Sequence, residues 1–262
     1  MNQLEVLRES LGQCDEIILD ALLMRNRIVE DIMVYKEAND LPVLQPEQEA
    51  KQKGWLKARM EGRRHKKEVS DVFASITQNS KRIQSRNLFN YNIFLIGFMG
   101  AGKSTISDYL KNALAMDVVE MDQCIVERQG MSISDIFETY GEEYFRELET
   151  NLLIEMQSQS NVVVSCGGGV PMRERNVVEM KKNGRVVLLT AKPETILERV
   201  KDNHDRPLLE NNKTVPFIAD LMEKRRTKYE AAADIVIQTD GKSELEICEE
   251  LIHRLREAEA NK

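Results

Sequence analysis

Apolar residues in the first third of the chain recur every three or four positions, which is the spacing of one helix face. The longest row consists of Leu4, Leu7, Leu11, Cys14, Ile18, Leu22, Val29 and Ile32. It predicts one helix over about residues 3–38, roughly 50 Å long at 1.5 Å per residue. Because the rest of this short segment cannot cover so long a row, we expect a second chain to pack against it.

Two further helices are predicted before residue 88. The stretch LPVLQP interrupts the helical pattern, and Pro46 suits the first turn of the second helix. A helical pattern over about residues 66–86 predicts the third. Residues 1–88 are therefore predicted to form an all-α domain of three helices that assembles as an intertwined homodimer.

From residue 91 onward the pattern changes to short apolar runs separated by amphipathic helices. Five runs have the length of buried strands: NIFLIG, VVEMD, VVVSC, RVVLLTA and DIVIQT. Alternation of strands and helices predicts a parallel sheet with helices on both faces. Residues 91–262 are predicted to form an α/β domain with a five-stranded parallel sheet, and Ser132 with Asp135 predicts a capping box within it.

Composition excludes several classes of protein. The chain is 42% hydrophobic and 31% charged, as folded domains are, and no apolar run approaches the roughly 20 residues that span a bilayer. The opening MNQLEVLRES lacks the apolar stretch of a signal peptide, and four scattered cysteines suit a reducing compartment, so we expect a cytoplasmic protein. Residues 91–262 hold 30 acidic against 22 basic side chains, which argues against a nucleic-acid partner.

The run IFLIGFMGAGKST, residues 93–105, contains Gly97-x4-Gly102-Lys103-Ser104 between a predicted strand and a predicted helix. This is the pattern of a phosphate-binding loop, in which backbone N–H groups surround phosphate oxygens, Lys103 offsets their charge and Ser104 ligates Mg²⁺. The predicted ATP-binding residues are Gly100, Ala101, Gly102, Lys103, Ser104 and Thr105. No NKxD guanine-reading motif is present, so a small-molecule kinase is favoured. The alternative is a nucleotide-dependent switch without an acceptor.

The stretch VVEMDQCIVERQGMSISDIFETYGEEYFRELE, followed by CGGG and RPLL, resembles shikimate kinase over about residues 91–255. The resemblance implies MgATP-dependent conversion of shikimate to shikimate 3-phosphate. It implies that Asp122 binds the acceptor hydroxyl and helps to deprotonate it, and that Arg146 and Arg225 bind the shikimate carboxylate. Gly168 and Gly169 are implied to meet the ring hydroxyls.

Two more arginines follow from the same resemblance. Arg206, in DRPLL, corresponds to the arginine that approaches the ATP and the transferred phosphoryl group, so the catalytic set would be Asp122, Lys103 and Arg206. Arg199 is implied to lie near the nucleotide. One position departs from the family, which usually has Asp where this chain has Glu120. Since Glu keeps the charge and adds one methylene, we expect metal binding with altered geometry.

Polar residues interrupt the apolar faces of the helical segment. Arg25 and Lys36 stand on the first helix where Leu or Ile is expected, and Ser80 and Gln84 extend the inward face of the third. An unpaired buried cation costs several kcal/mol, so an anion should meet these two. That anion is either an internal carboxylate such as Glu49 or a ligand in a small polar cavity.

The arrangement is similar to the all-helical chorismate mutase family over about residues 3–86, beginning with LRESLGQCDEIILDALLMR. The resemblance implies that chorismate is rearranged to prephenate. Arg8 and Arg25 would bind the substrate carboxylates, and Lys36 and Gln84 the ether oxygen. Two further lining positions are implied, Glu49 and Ser80.

The mutase pattern is incomplete at two positions. The family tends to have Asp and Arg where this chain has Gln45 and Gln48, and one lost charge-assisted hydrogen bond is worth about 1.5–3 kcal/mol. We expect weak mutase activity, and the alternative is a non-catalytic module for dimerisation or effector sensing. Arg8 also lies some 25 Å along the helix from Arg25, so a partner chain would have to supply it.

Overall fold

Three helices account for most of the N-terminal part of the chain in the computed structural model, which describes residues 2–201 and 214–260. The chain divides into two units, Met1–Asn87 and Leu88–Lys262. The three helices are α1 (Gln3–Ala38), α2 (Pro46–Arg59) and α3 (Lys66–Leu88). The predicted all-α organisation of this part is confirmed.

Helix α1 is a single helix of 36 residues. It begins with a capping box, in which the Asn2 side chain accepts from the backbone while Glu5 bonds back to the Asn2 N–H. The first half of its predicted apolar row stays open to solvent within one chain, since Leu7 is 60% and Leu11 is 62% exposed, whereas Val29 is buried. A long uncovered apolar face marks a surface that another element packs on.

The second unit is built on five strands, β1 (Asn92–Ile96), β2 (Asp117–Glu120), β3 (Val162–Ser165), β4 (Gly184–Thr190) and β5 (Ile235–Gln238). All adjacent strands are parallel, in the order β2-β3-β1-β4-β5. The predicted five-stranded parallel sheet is confirmed. Its helices are α4 (Lys103–Leu114), α5 (Met121–Gln129), α6 (Ile133–Tyr140), α7 (Glu142–Glu155), α8 (Glu174–Lys182), α9 (Pro193–Val200), α10 (Val215–Ala232) and α11 (Glu244–Ala260).

The central strand β1 is buried at every position, as expected of a parallel sheet covered on both faces. Phe94 pairs in register with Val164 of β3 and Val186 of β4. The predicted capping box of Ser132 and Asp135 starts α6. None of the helices in the described ranges is long and apolar enough to cross a bilayer.

The strand register decides where the functional loops meet. Ser165, the last residue of β3, lies opposite Leu95 of β1 and Glu120 of β2. Because the strands are parallel, the chain leaves β1, β2 and β3 at the same edge of the sheet. That edge is where ligands bind in open α/β sheets.

Candidate active sites

The loop after β1 has the backbone conformation of a phosphate cradle. Gly97 adopts a φ of 147° with the Leu189 carbonyl oxygen beside it, so a side chain at this position would collide with backbone. Gly102, at a φ of 102°, directly precedes α4, whose N-terminal N–H groups are suited to an anion. Lys103 folds back over the loop and donates to the carbonyls of Gly97 (2.9 Å) and Phe98 (3.3 Å).

Two possible oxygen ligands for a metal ion, the Ser104 hydroxyl and the Glu120 carboxylate, lie beside this loop. The exposed Ser104 hydroxyl donates to Glu120 Oε2 at 3.0 Å, and the buried Ser107 hydroxyl lies 2.6 Å from Glu120 Oε1. A hydroxyl and a carboxylate are the hard oxygen ligands that Mg²⁺ takes in proteins. The residues present therefore fit a magnesium ion that accompanies a nucleotide.

Arg199 lies against the phosphate loop. Its Nη1 is 3.1 Å from the Gly100 carbonyl and 3.1 Å from Thr239 Oγ1. Thr239 is itself buried and lies 3.3 Å from the Ala101 carbonyl. The guanidinium is thereby held at the rim of the loop that surrounds the predicted nucleotide phosphates. The predicted phosphoryl-contacting residue Arg206 lies outside the described residues.

Asp122 lies in the first turn of α5, two residues after β2 ends. The neighbouring loop, which follows β3, brings Gly167 against its carboxylate. The buried Glu149 of α7 approaches the same glycine. Glu149 Oε1 has no hydrogen-bond partner among the described residues. One buried oxygen therefore lies against the loop that follows β3.

Arg146 of α7 is held by two carboxylates of its own helix. It donates from Nη1 to Glu149 Oε2 (2.9 Å) and from Nη2 to Glu142 Oε1 (2.8 Å). Burial raises the pKa of Glu149 to about 7, with Asp122 adding to the rise and Arg146 opposing it. Glu142 is exposed whereas Glu149 is buried, so Glu149 fixes the guanidinium and Glu142 is the partner that a ligand anion can replace.

Arg225 of α10 completes a cationic cleft. Its guanidinium carbon lies 6.0 Å from the centre of the Phe98 ring, and Tyr229, one turn later, donates to the Gly168 carbonyl at 2.7 Å. A cleft of about 340 Å³ lies in this region. Its lining residues are Glu142, Glu143, Arg146, Gly169, Met172, Arg173 and Arg225.

The helical unit gathers part of the second predicted site. Arg25 of α1 donates to the Ser80 hydroxyl of α3, and its burial lowers its pKa. Lys36 is buried to 8% exposure and donates to the Val43 carbonyl at 2.7 Å. Glu49 of α2 pairs at 2.8 Å with Lys81 of α3.

The other predicted residues of this site lie at different depths. Gln84 is half-buried, one turn after Ser80 on α3, whereas Arg8 is exposed. Arg8 and Arg25 both lie on α1, so helix geometry keeps them roughly 25 Å apart. One chain therefore brings Arg25, Lys36, Glu49, Ser80 and Gln84 to the helical unit's interior or its margin, but not Arg8.

Sequence reasoning missed four side chains that the structure places at these sites: Ser107, Glu149, Tyr229 and Lys81. The signal for Glu149 was present, since it follows Arg146 by three residues on one helix face. Ser107 likewise follows Ser104 by three residues. Lys81 gives no such signal, because its partner Glu49 lies on another helix.

Family models match both parts of the chain, and the similar proteins and solved structures cover the second part. The family model "Shikimate kinase" matches residues 99–256, and "Chorismate mutase type II" matches residues 7–85. Proteins named shikimate kinase from Dehalococcoides mccartyi and Persephonella marina are each 44% identical, over 64% and 63% of this chain and 95% and 99% of their own lengths. A solved shikimate kinase from Acinetobacter baumannii, in complex with shikimate, aligns with a TM-score of 0.59 and 32% identity over 66% of this chain and 96% of that one.

Proposed function

Because the chain belongs to the shikimate kinase family and also carries a type II chorismate mutase domain, we propose that it phosphorylates shikimate with MgATP and rearranges chorismate to prephenate. The observation that carries the kinase assignment is the meeting of three loops at one edge of the sheet. The first carries the phosphate cradle, the second leads to Asp122, and the third contains Gly169, which lines the cleft together with Arg146, Arg173 and Arg225.

In the kinase site, Asp122 accepts the proton of the acceptor hydroxyl as that oxygen attacks the terminal phosphoryl group of ATP. The oxygen–phosphorus bond to the acceptor forms, the bond to the ADP oxygen breaks, and ADP leaves. Lys103 exchanges its two carbonyl partners for phosphate oxygens. Arg206, from the resemblance, would neutralise the transferred group.

Arg146 and Arg225 bind the shikimate carboxylate in this proposal. A guanidinium fork matches a carboxylate in a bidentate manner, and the cleft they line is of the size that holds a small molecule. The carboxylate replaces Glu142 on Arg146, while Glu149 keeps the guanidinium in place. Gly169 lines the cleft, and we propose that the backbone of Gly168 and Gly169 meets the ring hydroxyls.

Magnesium accompanies ATP in the proposed reaction and offsets the charge of its phosphates. Ser104 and Glu120 would hold it, the serine through its hydroxyl oxygen and the glutamate beside that hydroxyl. Their separation of 3.0 Å supports this assignment. Glu120 is one methylene longer than the aspartate usual in the family, and its carboxylate reaches the Ser107 hydroxyl.

The mutase site is proposed around Arg25, Lys36, Ser80 and Gln84, with Glu49 at its margin. The reaction is a rearrangement within one dianion, so the site has to hold the compact shape and stabilise charge on the breaking C–O bond. Arg25 and Lys36 supply two cations where apolar residues are expected. Arg25 donates to the Ser80 hydroxyl and Lys36 to the Val43 carbonyl, and a substrate anion can add to these contacts.

A homodimer through α1 is part of the proposal. The exposed apolar residues of α1 need a cover, and a second copy of the same helix carries a matching row. An antiparallel α1 of the partner would also bring Arg8 to the pocket that holds Arg25. A cytoplasmic location is supported by the four cysteines, all of which are free thiols.

A paired assay of the intact chain tests the proposed function. ADP release from MgATP is measured with and without shikimate, and prephenate formation from chorismate is measured on the same preparation. We expect both activities. ADP release that does not depend on shikimate would indicate a nucleotide switch, and kinase activity without prephenate would reduce the helical unit to dimerisation or effector sensing.

A further inference from the structure

Ser107 is a fully buried hydroxyl on α4, on the turn that follows Ser104. Its Oγ lies 2.6 Å from Glu120 Oε1 and 2.9 Å from the Ser104 carbonyl. A hydroxyl has a single proton, and a carboxylate at 2.6 Å requires it, since two unprotonated oxygens repel at that distance. Ser107 therefore donates to Glu120 in a short charge-assisted hydrogen bond.

Glu120 uses its second oxygen on Ser104. Oε2 accepts the Ser104 hydroxyl proton at 3.0 Å, which leaves the lone pairs of the Ser104 oxygen available to a cation. The carboxylate is thus fixed at both oxygens by two serines one turn apart. Outer partners that orient a ligand in this way are a recurring feature of metal sites.

The length of the Glu120 side chain explains why it uses Ser107 as a second partner. Glutamate has one more rotatable bond than aspartate, and holding it in one conformation costs side-chain entropy. Aspartate would withdraw the carboxylate by about one bond length, roughly 1.5 Å, and the 2.6 Å contact with Ser107 would be lost. Ser107 and Glu120 therefore fit each other as a pair.

We propose that Ser107 is a positioning residue of the phosphoryl-transfer site, which acts through Glu120 to orient Ser104 toward the magnesium ion of the nucleotide. The proposal rests on the proposed kinase function and on magnesium binding at Ser104. It assigns Ser107 no contact with substrate. Its effect belongs to the metal-dependent part of nucleotide binding, whereas a merely structural serine would alter stability alone.

The test measures ADP binding by calorimetry, in excess Mg²⁺ and in EDTA, for the intact chain and its variants. Ser107→Ala should reduce the Mg²⁺-dependent gain in ADP affinity about tenfold, as loss of an outer partner of a metal ligand does. Its affinity for ADP in EDTA should remain within about twofold of the parent's. Ser107→Cys, a near-isosteric weak donor, should fall between the two. Ser158→Ala controls for the loss of one serine hydroxyl, because Ser158 is exposed and donates to the Glu155 carbonyl outside the site.

Glu120→Asp separates positioning from general stability. In that background the contact with Ser107 is already lost, so adding Ser107→Ala should leave the Mg²⁺-dependent gain nearly unchanged. An equal loss in both backgrounds, or a Ser107→Ala protein with the parent's response to Mg²⁺, would overturn the proposal while the kinase assignment stands. A parent protein with shikimate-dependent turnover but no Mg²⁺ effect on ADP binding would overturn both the metal assignment and the pairing.

Discussion

The carboxylates of Asp122 and Glu149 both lie against Gly167. A Cβ added at this glycine would lie 2.6 Å from Asp122 Oδ1 and 3.0 Å from Glu149 Oε1. Real side-chain carbons do not approach another atom as closely as 2.6 Å, so any larger residue displaces the Asp122 carboxylate. Because it has no side chain, Gly167 of the CGGG segment leaves room for both carboxylates. One is Asp122, on the acceptor side, and the other is Glu149, which holds Arg146.

Gly167→Ala should lower shikimate-dependent turnover on the order of a hundredfold, because displacement of a reacting group by about 1 Å costs that much. ADP binding should persist, since the three atoms nearest to the added carbon belong to Asp122 and Glu149 and not to the phosphate loop. Steady-state kinetics and calorimetry measure the two effects. Gly54→Ala is the control, because its added carbon meets nothing within 4 Å. Unchanged turnover in Gly167→Ala would contradict the placement of Asp122.

Asp122→Asn should nearly abolish shikimate-dependent ATP turnover, since positioned general bases contribute about 10²–10⁴ in rate. The amide cannot accept the hydroxyl proton, yet it preserves the shape of the side chain. Nucleotide affinity should stay close to the parent's. Asp108→Asn, on the exposed face of α4, controls for the loss of one charge. An Asp122→Asn enzyme with near-normal turnover would remove Asp122 from the proposed mechanism.

Glu149 should make stability fall as pH rises through neutrality. Its pKa is about 7 in the folded chain against a reference of 4.5, so between those values the folded state keeps a proton that the unfolded state has lost. The free energy of unfolding therefore declines from about pH 4.5 to pH 7. The limit is about 3 kcal/mol, at 1.4 kcal/mol for each pKa unit.

Glu149→Gln should lack this decline. The free energy of unfolding of the variant, relative to that of the parent, should therefore increase between pH 5 and pH 8. Urea unfolding is followed by circular dichroism, because Trp55, the single tryptophan, lies in the other unit. Glu194→Gln on α9 is the surface control. A difference between parent and Glu149→Gln that does not vary with pH would refute the raised pKa.

The proposed mutase dimer predicts complementation between two inactive variants. Arg8→Ala and Arg25→Ala homodimers should each form almost no prephenate, because each removes one carboxylate-binding arginine from every site. Refolding an equal mixture should restore activity, since the mixed dimer has one site with both arginines. Each variant refolded alone is the control. Proven heterodimers without activity would show that the two arginines do not serve one shared pocket.

Gln48→Arg should raise mutase kcat/KM by about tenfold or more, the value of a restored charge-assisted hydrogen bond of 1.5–3 kcal/mol. The new cation would add to Arg25 and Lys36, whereas Lys81 is engaged by Glu49. Gln52→Arg, one turn further along α2, adds the same charge as a control. If neither the parent nor Gln48→Arg forms prephenate, the helical unit is not a mutase.

Periodicity alone was sufficient for the fold, because α1, the five strands and the capping box at Ser132 depend on local pattern and burial. The side-chain contacts within the two sites could not be predicted from the sequence pattern. Whether Arg25 contacts Glu49 or Ser80 depends on how three helices pack. In the structure Arg25 donates to Ser80, and Glu49 pairs with Lys81. The orientation of Glu120 likewise depends on Ser107, thirteen positions earlier in the sequence.

In the proposed dimer, the exposed apolar residues of α1 would make the two proposed activities depend on different powers of the protein concentration. A kinase site built within one chain works in proportion to the number of chains. A mutase site that borrows Arg8 from a second copy works in proportion to the number of paired chains, which below the dissociation constant rises as the square of the concentration. In the proposed dimer, the ratio of prephenate formed to shikimate phosphorylated would therefore depend on how much of the protein is made, so the level of expression would itself control the mutase reaction.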